Sequence, residues 1–325
     1  MKKSKLGNSD LYFSNVGLGT WAIGGPDWAY GWGPQDDESS IRAINHALDL
    51  GINWIDTAAV YGLGHSEELL GRALKGRSEK PYVATKCGRH WSSEGQRIFG
   101  NLTRKAVLQE VEDSLRRLSV DCIDLYQIHW PDPEAEIEEA WEAIHQCVAQ
   151  GKIRYAGVSN FTPEQMKHIQ AIGPITSLQP PYSMIKPGIE SFVLPFCAEN
   201  DIAVICYSPM YKGLLSEKFD KHWAESLPAS DHRSADSHFQ EPELSVNLWF
   251  TGELKKLIAD TEYTLAHLAI AWTLRRPEVT CAIVGARSPK QIEETARAGE
   301  WQLDDELIRS IDKLMARRKE KIKAL

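Results

Sequence analysis

The sequence predicts an α/β chain folded as a closed (β/α)8 (TIM) barrel, with a small hairpin before it and a helix after it, as one domain over residues 1–325. Three observations carry that prediction. Apolar runs of four to eight residues recur eight times, at 16–20, 53–58, 82–86, 122–129, 155–160, 177–182, 202–209 and 281–286. Longer stretches with helical spacing separate them, so the strands run parallel. Polar and ionisable residues gather where the runs finish, which is where barrel chemistry sits. A doubly wound open sheet fits the same alternation; the count of eight selects the barrel.

Taken in order, Leu6 to Leu11 has the turn chemistry of a hairpin between apolar residues. Residues 36–50 place Ile41, Ile44 and Leu48 on one helical face. Residues 104–118 do so with Val107, Leu108, Val111, Leu115 and Leu118, and 137–149 with Ile137, Trp141, Ile144 and Val148. Gly51 and Gly151 close two of these helices. Residues 212–247 are polar and carry Pro228 and Pro242, so a long functional or mobile loop is expected. Its histidines, His222, His232 and His238, are expected to be solvated. A last helix starts near Asp304 and ends in basic turns at 317–321, which suits a helix C-terminus and reads as a solvated tail.

Composition narrows the function classes. With 325 residues, 42% of them hydrophobic, the chain can bury a large core. A net charge of −8 with dispersed Lys and Arg disfavours a nucleic-acid partner. No apolar run follows the N-terminal lysines, and none approaches the roughly 18 residues of a membrane span. The six cysteines, at 87, 122, 147, 197, 206 and 281, show no CxxC pair, as expected for reduced thiols in a cytoplasmic protein. Metal-ligand spacings such as HExxH are missing, so no metal is expected.

Ionisable groups fall at three strand ends. The run at 53–58 contains Asp56, and Tyr61 follows five residues later, before Gly62 and a helix start at 65–68. The third run ends in Lys86 and the fourth in His129. A phenol, with an ordinary pKa of about 10, is a poor proton donor unless its anion is stabilised. Lys86 would stabilise it, with Asp56 as counter-ion, and the two are expected to lower the pKa of Tyr61. His129 would orient a carbonyl oxygen or share the proton. Asp56 alone reads as a helix cap and His129 alone as a core residue; the four together read as a proton-transfer site. Residues 17–22 match G-x-G-x-x-A, but that fingerprint needs a helix at once, and none starts before about Asp36. Gly19 and Thr20 are read instead as a strand end open to close ligand approach. Trp21, Trp28, Tyr30, Trp32, Trp91 and Trp130 follow barrel strands and read as an aromatic funnel.

Asp56 through Gly62, Lys86 and Gln127-Ile128-His129 resemble the signature elements of the aldo-keto reductase superfamily. The segments 157–161, 178–179, 207–209 and 285–288, with Gln291 and Glu294, extend the resemblance to about Trp301. Asp231-His232-Arg233 is similar to the bacterial branch related to potassium-channel β-subunits. The resemblance implies a barrel that binds NADP(H) in extended form. Ser159, Asn160 and Gln179 would hold the nicotinamide carboxamide and Tyr207 would stack on the ring, with Gly19, Thr20, Trp21 and Asp56 beside it. Ser208, Leu214 and Ser216 would follow the pyrophosphate. Gly285, Arg287 and Ser288 would meet the adenosine 2′-phosphate; a guanidinium suits that dianion, which favours NADP(H) over NAD(H). Gln291, Glu294 and Thr295 would face the adenosine, although the family usually has Asn where Thr295 stands. Substrate contacts would come from Trp21, Trp32, Tyr61, Trp91, His129 and Trp130. The implied activity is NADPH-dependent reduction of a small aldehyde or ketone by a monomer or weak homo-oligomer, with neither nucleic acid nor membrane as partner. A slow-turnover nucleotide-holding redox sensor is the alternative. A barrel hydrolase or aldolase with Lys86 as a Schiff base leaves the carboxamide set unexplained.

Overall fold

In the computed structural model, which describes every residue except Asp27, Gln96, Ala229 and Ser230, the predicted hairpin is formed by β1 (Lys3–Lys5) and β2 (Tyr12–Ser14). The eight barrel strands follow: β3 (Val16–Gly19), β4 (Trp54–Asp56) and β5 (Tyr82–Cys87); then, beyond a second antiparallel hairpin of β6 (Arg89–Trp91) and β7 (Ile98–Gly100), β8 (Ile123–Ile128), β9 (Ile153–Ser159), β10 (Ser177–Gln179), β11 (Ala203–Cys206) and β12 (Val279–Gly285). The barrel strands pair in chain order, and β12 returns to β3 with Gly285 opposite Gly19, which closes the barrel. The eight predicted runs are these eight strands.

Alternation along the strands sorts the core into two layers. Trp54, Ala84, Leu125, Ile205, Cys281 and Ile283 form a buried cluster with Leu6, Leu11 and Phe13 of the hairpin, where Phe13 stacks on Trp54 at 4.7 Å. The second, larger cluster joins the outward strand faces to the helices, through residues such as Ile44, Leu70, Val111, Trp141, Ile144 and Leu268. Each such side chain contributes about 1.5–3 kcal/mol by leaving water.

Local chemistry starts the helices where the sequence predicts them. Asp36 accepts from the Ser39 amide before the helix Asp37–Asp49, and Asp304 accepts from the Leu307 amide before the terminal helix Asp305–Lys323. Among the described residues no helix is long and apolar enough to cross a membrane.

The structure corrects two expectations. The segment 212–247 is not one loop: it contains a helix at Lys221–Glu225, 3-10 turns at His232–Ala235 and Ser237–Phe239, and the start of the helix Glu243–Leu257. Asp220, Asp231 and Asp236 each cap one of these turns, accepting from the amides of Trp223, Arg233 and His238. The terminal helix is no solvated tail either. Ile311, Leu314 and Arg318 are buried, Arg318 Nε donates to Asn247 Oδ1 at 2.8 Å, and Arg317 and Lys321 lie over the Trp249 ring.

Candidate active site

The ends of β4, β5 and β8 bring Asp56, Lys86 and His129 to one mouth of the barrel, because parallel strands in register finish together. Lys86 Nζ donates to both Asp56 carboxylate oxygens and to the Thr57 carbonyl, each at 2.8 Å, and lies 3.5 Å from the Tyr61 hydroxyl. Tyr61 faces His129 edge-on, with ring centroids 5.7 Å apart. The turn after β4 that presents Tyr61 is possible only with glycine next to it. Gly62 has φ +61°, and a Cβ there would stand 1.9 Å from the Gly24 carbonyl oxygen.

A second hydrogen-bonded set grows from β9, β10 and β11. Gln179 Nε2 donates to Asp56 Oδ1 at 2.7 Å, and Ser159 Oγ donates to the Gln179 carbonyl at 2.8 Å. Asn160, held at φ +64°, donates through Nδ2 to the His129 carbonyl and to Ser159 Oγ, and its Oδ1 accepts from the Tyr207 hydroxyl at 2.9 Å. The amides are thus fixed before any ligand arrives.

Electrostatics departs from the expectation for Tyr61. Burial first, and then the charges of Asp56 and Tyr207, push its pKa up rather than down. The main reason is that burial strips the phenolate of water, and the Lys86 ammonium does not offset this because both Asp56 oxygens are paired with it. Burial also depresses the pKa of Lys86, which the Asp56 contacts oppose. His129 is pushed well below the usual imidazole range by burial, then by Lys86 and Arg89. At neutral pH the site therefore holds a protonated phenol beside a neutral imidazole.

These groups open into one cavity of about 690 Å³, ligand-sized for a protein cleft. Gly19, Trp21, Asp56, Tyr61, His129 and Trp130 line its near end, with Trp28, Tyr30 and Trp32. Ser159, Asn160, Gln179, Tyr207, Ser208 and Ser216 also line it, as do Gly285, Arg287, Gln291, Glu294 and Thr295, with Gly285 beside Gly19 and Arg287 bonded to the Trp32 carbonyl. Five expected residues do not line it. Lys86 is fully buried and reaches the site through Asp56 and Tyr61. Thr20 is buried, with its hydroxyl on the Asp56 carbonyl and Ser66. Leu214 packs in the core, Ser288 stands at the N-cap position of the helix Pro289–Ala296 without a side-chain capping bond, and Trp91 packs in the apolar cluster of Trp28, Ala58 and Val60. Gly19 lines the cavity, and a Cβ there would lie 2.6 Å from Ile283 Cγ2.

Arg287 donates to Gln35 Oε1 at 2.7 Å, to the Trp32 carbonyl at 3.2 Å and to the Pro34 carbonyl, and no carboxylate pairs with it among the described residues. It thereby ties the aromatic loop to the end of β12. Sequence reasoning missed Arg89, Lys212 and Arg233 as lining residues. Arg233 clamps Asp231 through two nitrogens and lies over the Trp32 and Trp223 rings. The expectation of solvated histidines holds for His222, which is exposed, and fails for the other two. His232 sits against Trp21 and Trp32 at 4.9 and 5.0 Å, and His238 bonds Tyr211 and Asp236.

The family model of the Aldo/keto reductase family matches residues 15–316. The chain belongs to the aldo-keto reductase family. Its similarity to "Aldo-keto reductase YhdN" of Bacillus subtilis (strain 168) is 39% identity, covering 97% of this chain and 94% of that one. It is also 33% identical to the "NADH-specific methylglyoxal reductase" of Escherichia coli (strain K12), over 94% of this chain and 95% of that one. Among solved structures, a glycerol dehydrogenase from Gluconobacter oxydans superposes with a TM-score of 0.89 at 39% identity, covering 97% of this chain and 95% of that one. Aldo-keto reductases are oxidoreductases that work with nicotinamide cofactors on a (β/α)8 barrel, and the closed barrel here agrees with that membership.

Proposed function

We propose that this aldo-keto reductase reduces aldehydes or ketones to alcohols with NADPH, and that Tyr61 is the general acid. The observation that carries the reading is the convergence of Asp56, Lys86, Tyr61 and His129 on the near end of one dinucleotide-sized cleft.

When bound, the nicotinamide cofactor supplies the hydride. The rest is the work of this chain's own residues. Tyr61, kept protonated by burial, gives its proton to the carbonyl oxygen. Lys86, 3.5 Å from that hydroxyl, stabilises the phenolate as it forms, and Asp56 keeps Lys86 charged inside the barrel. His129, neutral at working pH, fixes the direction of the carbonyl oxygen without competing as an acid. The tryptophans of the near end exclude water.

The cleft also fits the cofactor. The Ser159, Asn160 and Gln179 side chains suit a carboxamide, and the Tyr207 ring suits a flat heterocycle. Ser208 and Ser216 would lie along the pyrophosphate. At the adenosine end Arg287, with no carboxylate partner, favours a 2′-phosphate and so NADPH over NADH. The comparison of kcat/KM for NADPH and for NADH with one aromatic aldehyde tests the cofactor. The reading expects NADPH to lead by tenfold or more; an NADH preference sinks it.

A further inference from the structure

One cation in the near end is not used by that chemistry. Arg89 opens β6, three residues beyond Lys86, and lines the same cavity as Tyr61 and His129. Its side chain is 18% exposed, and among the described residues its one side-chain hydrogen bond runs from NH1 to Asp132 Oδ2 at 2.9 Å. Asp132 itself is 63% exposed. An ion pair with one partner so wet adds little stability. A guanidinium carries five N–H donors in a planar fork, so most of its donor capacity is open to a second partner.

The surroundings say what that partner would be. Arg89 stands close enough to His129 to act on its charge, and the cavity the two share is also lined by Trp21, Trp28, Tyr30, Trp32, Ile98 and Trp130. Asp56, the carboxylate at this end, is consumed by Lys86. A cation among aromatic and aliphatic walls, beside a reacting centre whose Lys86 charge is already balanced by Asp56, selects an anion. Planar two-point pairing favours a carboxylate.

Resting on the reductase reading above, we infer that Arg89 is an anion anchor and that the pocket prefers carbonyl substrates carrying a carboxylate remote from the reacting carbon. The substrate carboxylate replaces or joins Asp132 on the guanidinium while the carbonyl oxygen reaches Tyr61 and His129. Within an aromatic pocket the new pair is less screened than the solvent-exposed one it displaces.

The test compares 3- and 4-carboxybenzaldehyde with their methyl esters, using NADPH, in wild type, Arg89→Gln and Arg89→Lys. The ester withdraws electrons more strongly than the carboxylate, so intrinsic carbonyl reactivity works against the inference. Expected in wild type is a kcat/KM at least tenfold higher for one of the acids than for its ester, carried mainly in KM. That ratio falls to about one in Arg89→Gln and is partly kept in Arg89→Lys. Esters turned over as well as acids by wild type would overturn the anchor and leave the reductase standing. An acid preference that survives Arg89→Gln would also overturn it. Failure to reduce any of the four aldehydes would instead sink the reductase reading, and the anchor with it.

Discussion

Lys86 Nζ lies 2.8 Å from both carboxylate oxygens of Asp56, and the two side chains are 0% and 4% exposed. A pair this deep is costly to desolvate, and it survives because its geometry is bidentate and both ends have further partners, Thr57 for the ammonium and Gln179 for the carboxylate.

Breaking that pair from one side strands a buried charge. Asp56→Asn is expected to cost about 3–5 kcal/mol in urea unfolding and to abolish most turnover. The double change Asp56→Asn with Lys86→Met removes both charges and is expected to recover much of the stability but none of the activity. Equal stability in the single and double variants would mean that Asp56 is not the counter-ion.

Gly62→Ala tests the turn that aims Tyr61. The added Cβ would meet the Gly24 carbonyl at 1.9 Å, at φ +61°, where an L side chain is already strained. A loss of about 1–3 kcal/mol is expected, together with a fall in kcat greater than the change in KM. A variant with wild-type kcat would show that the turn does not govern the acid.

The depressed histidines give stability a pH sign. His232, against Trp21 and Trp32 and, among the described residues, without a hydrogen-bond partner for either ring nitrogen, is lowered from 6.5 to about 4 by burial and then by Lys212. His129 is also lowered, well below the usual imidazole range, by burial and then by Lys86. Below pH 6.5 the unfolded imidazoles take up protons that the folded ones refuse. Stability is therefore whole above that pH and falls as the pH drops towards 4, by about 1.4 kcal/mol per pH unit for each group. His90, raised by its bond to Glu110, acts in a different window: its contribution is whole below pH 6.5 and is lost as the pH rises above that value. Urea unfolding at pH 7 and pH 5 checks this. His232→Leu should flatten the slope; an unchanged slope would contradict its burial as a neutral ring.

Arg287 holds the Trp32–Gln35 loop and lines the cavity, where it is proposed to meet the adenosine 2′-phosphate. In Arg287→Met the Kd of NADPH is expected to rise about tenfold more than that of NADH, since a bidentate charged contact is worth about 1.4 kcal/mol or more. Equal losses for both cofactors would assign the residue to the loop alone.

The sequence made the barrel and its reacting ends legible because strand ends in register must share a mouth. Asp56, Lys86 and His129 each close an apolar run, and no tertiary detail was needed to collect them. What it hid was partnership. Lys86 reads as a cation that should acidify Tyr61, yet only the structure shows the phenol buried and both Asp56 oxygens paired with the ammonium, so that the pKa rises. The polar stretch 212–247 reads as solvated because its turns are held by single aspartates and its apolar residues are spread thin, which conceals the burial of His232. Arg89 was missed for a similar reason, since the short β6–β7 hairpin has no run of alternating residues to announce it.

The most direct test of the central claim is NADPH oxidation with an activated aromatic aldehyde, wild type beside Tyr61→Phe, with NADPH binding measured in both. The account predicts turnover in wild type and a fall by about three orders of magnitude or more in Tyr61→Phe, with cofactor affinity kept within a few-fold. Equal turnover in the two proteins would contradict it.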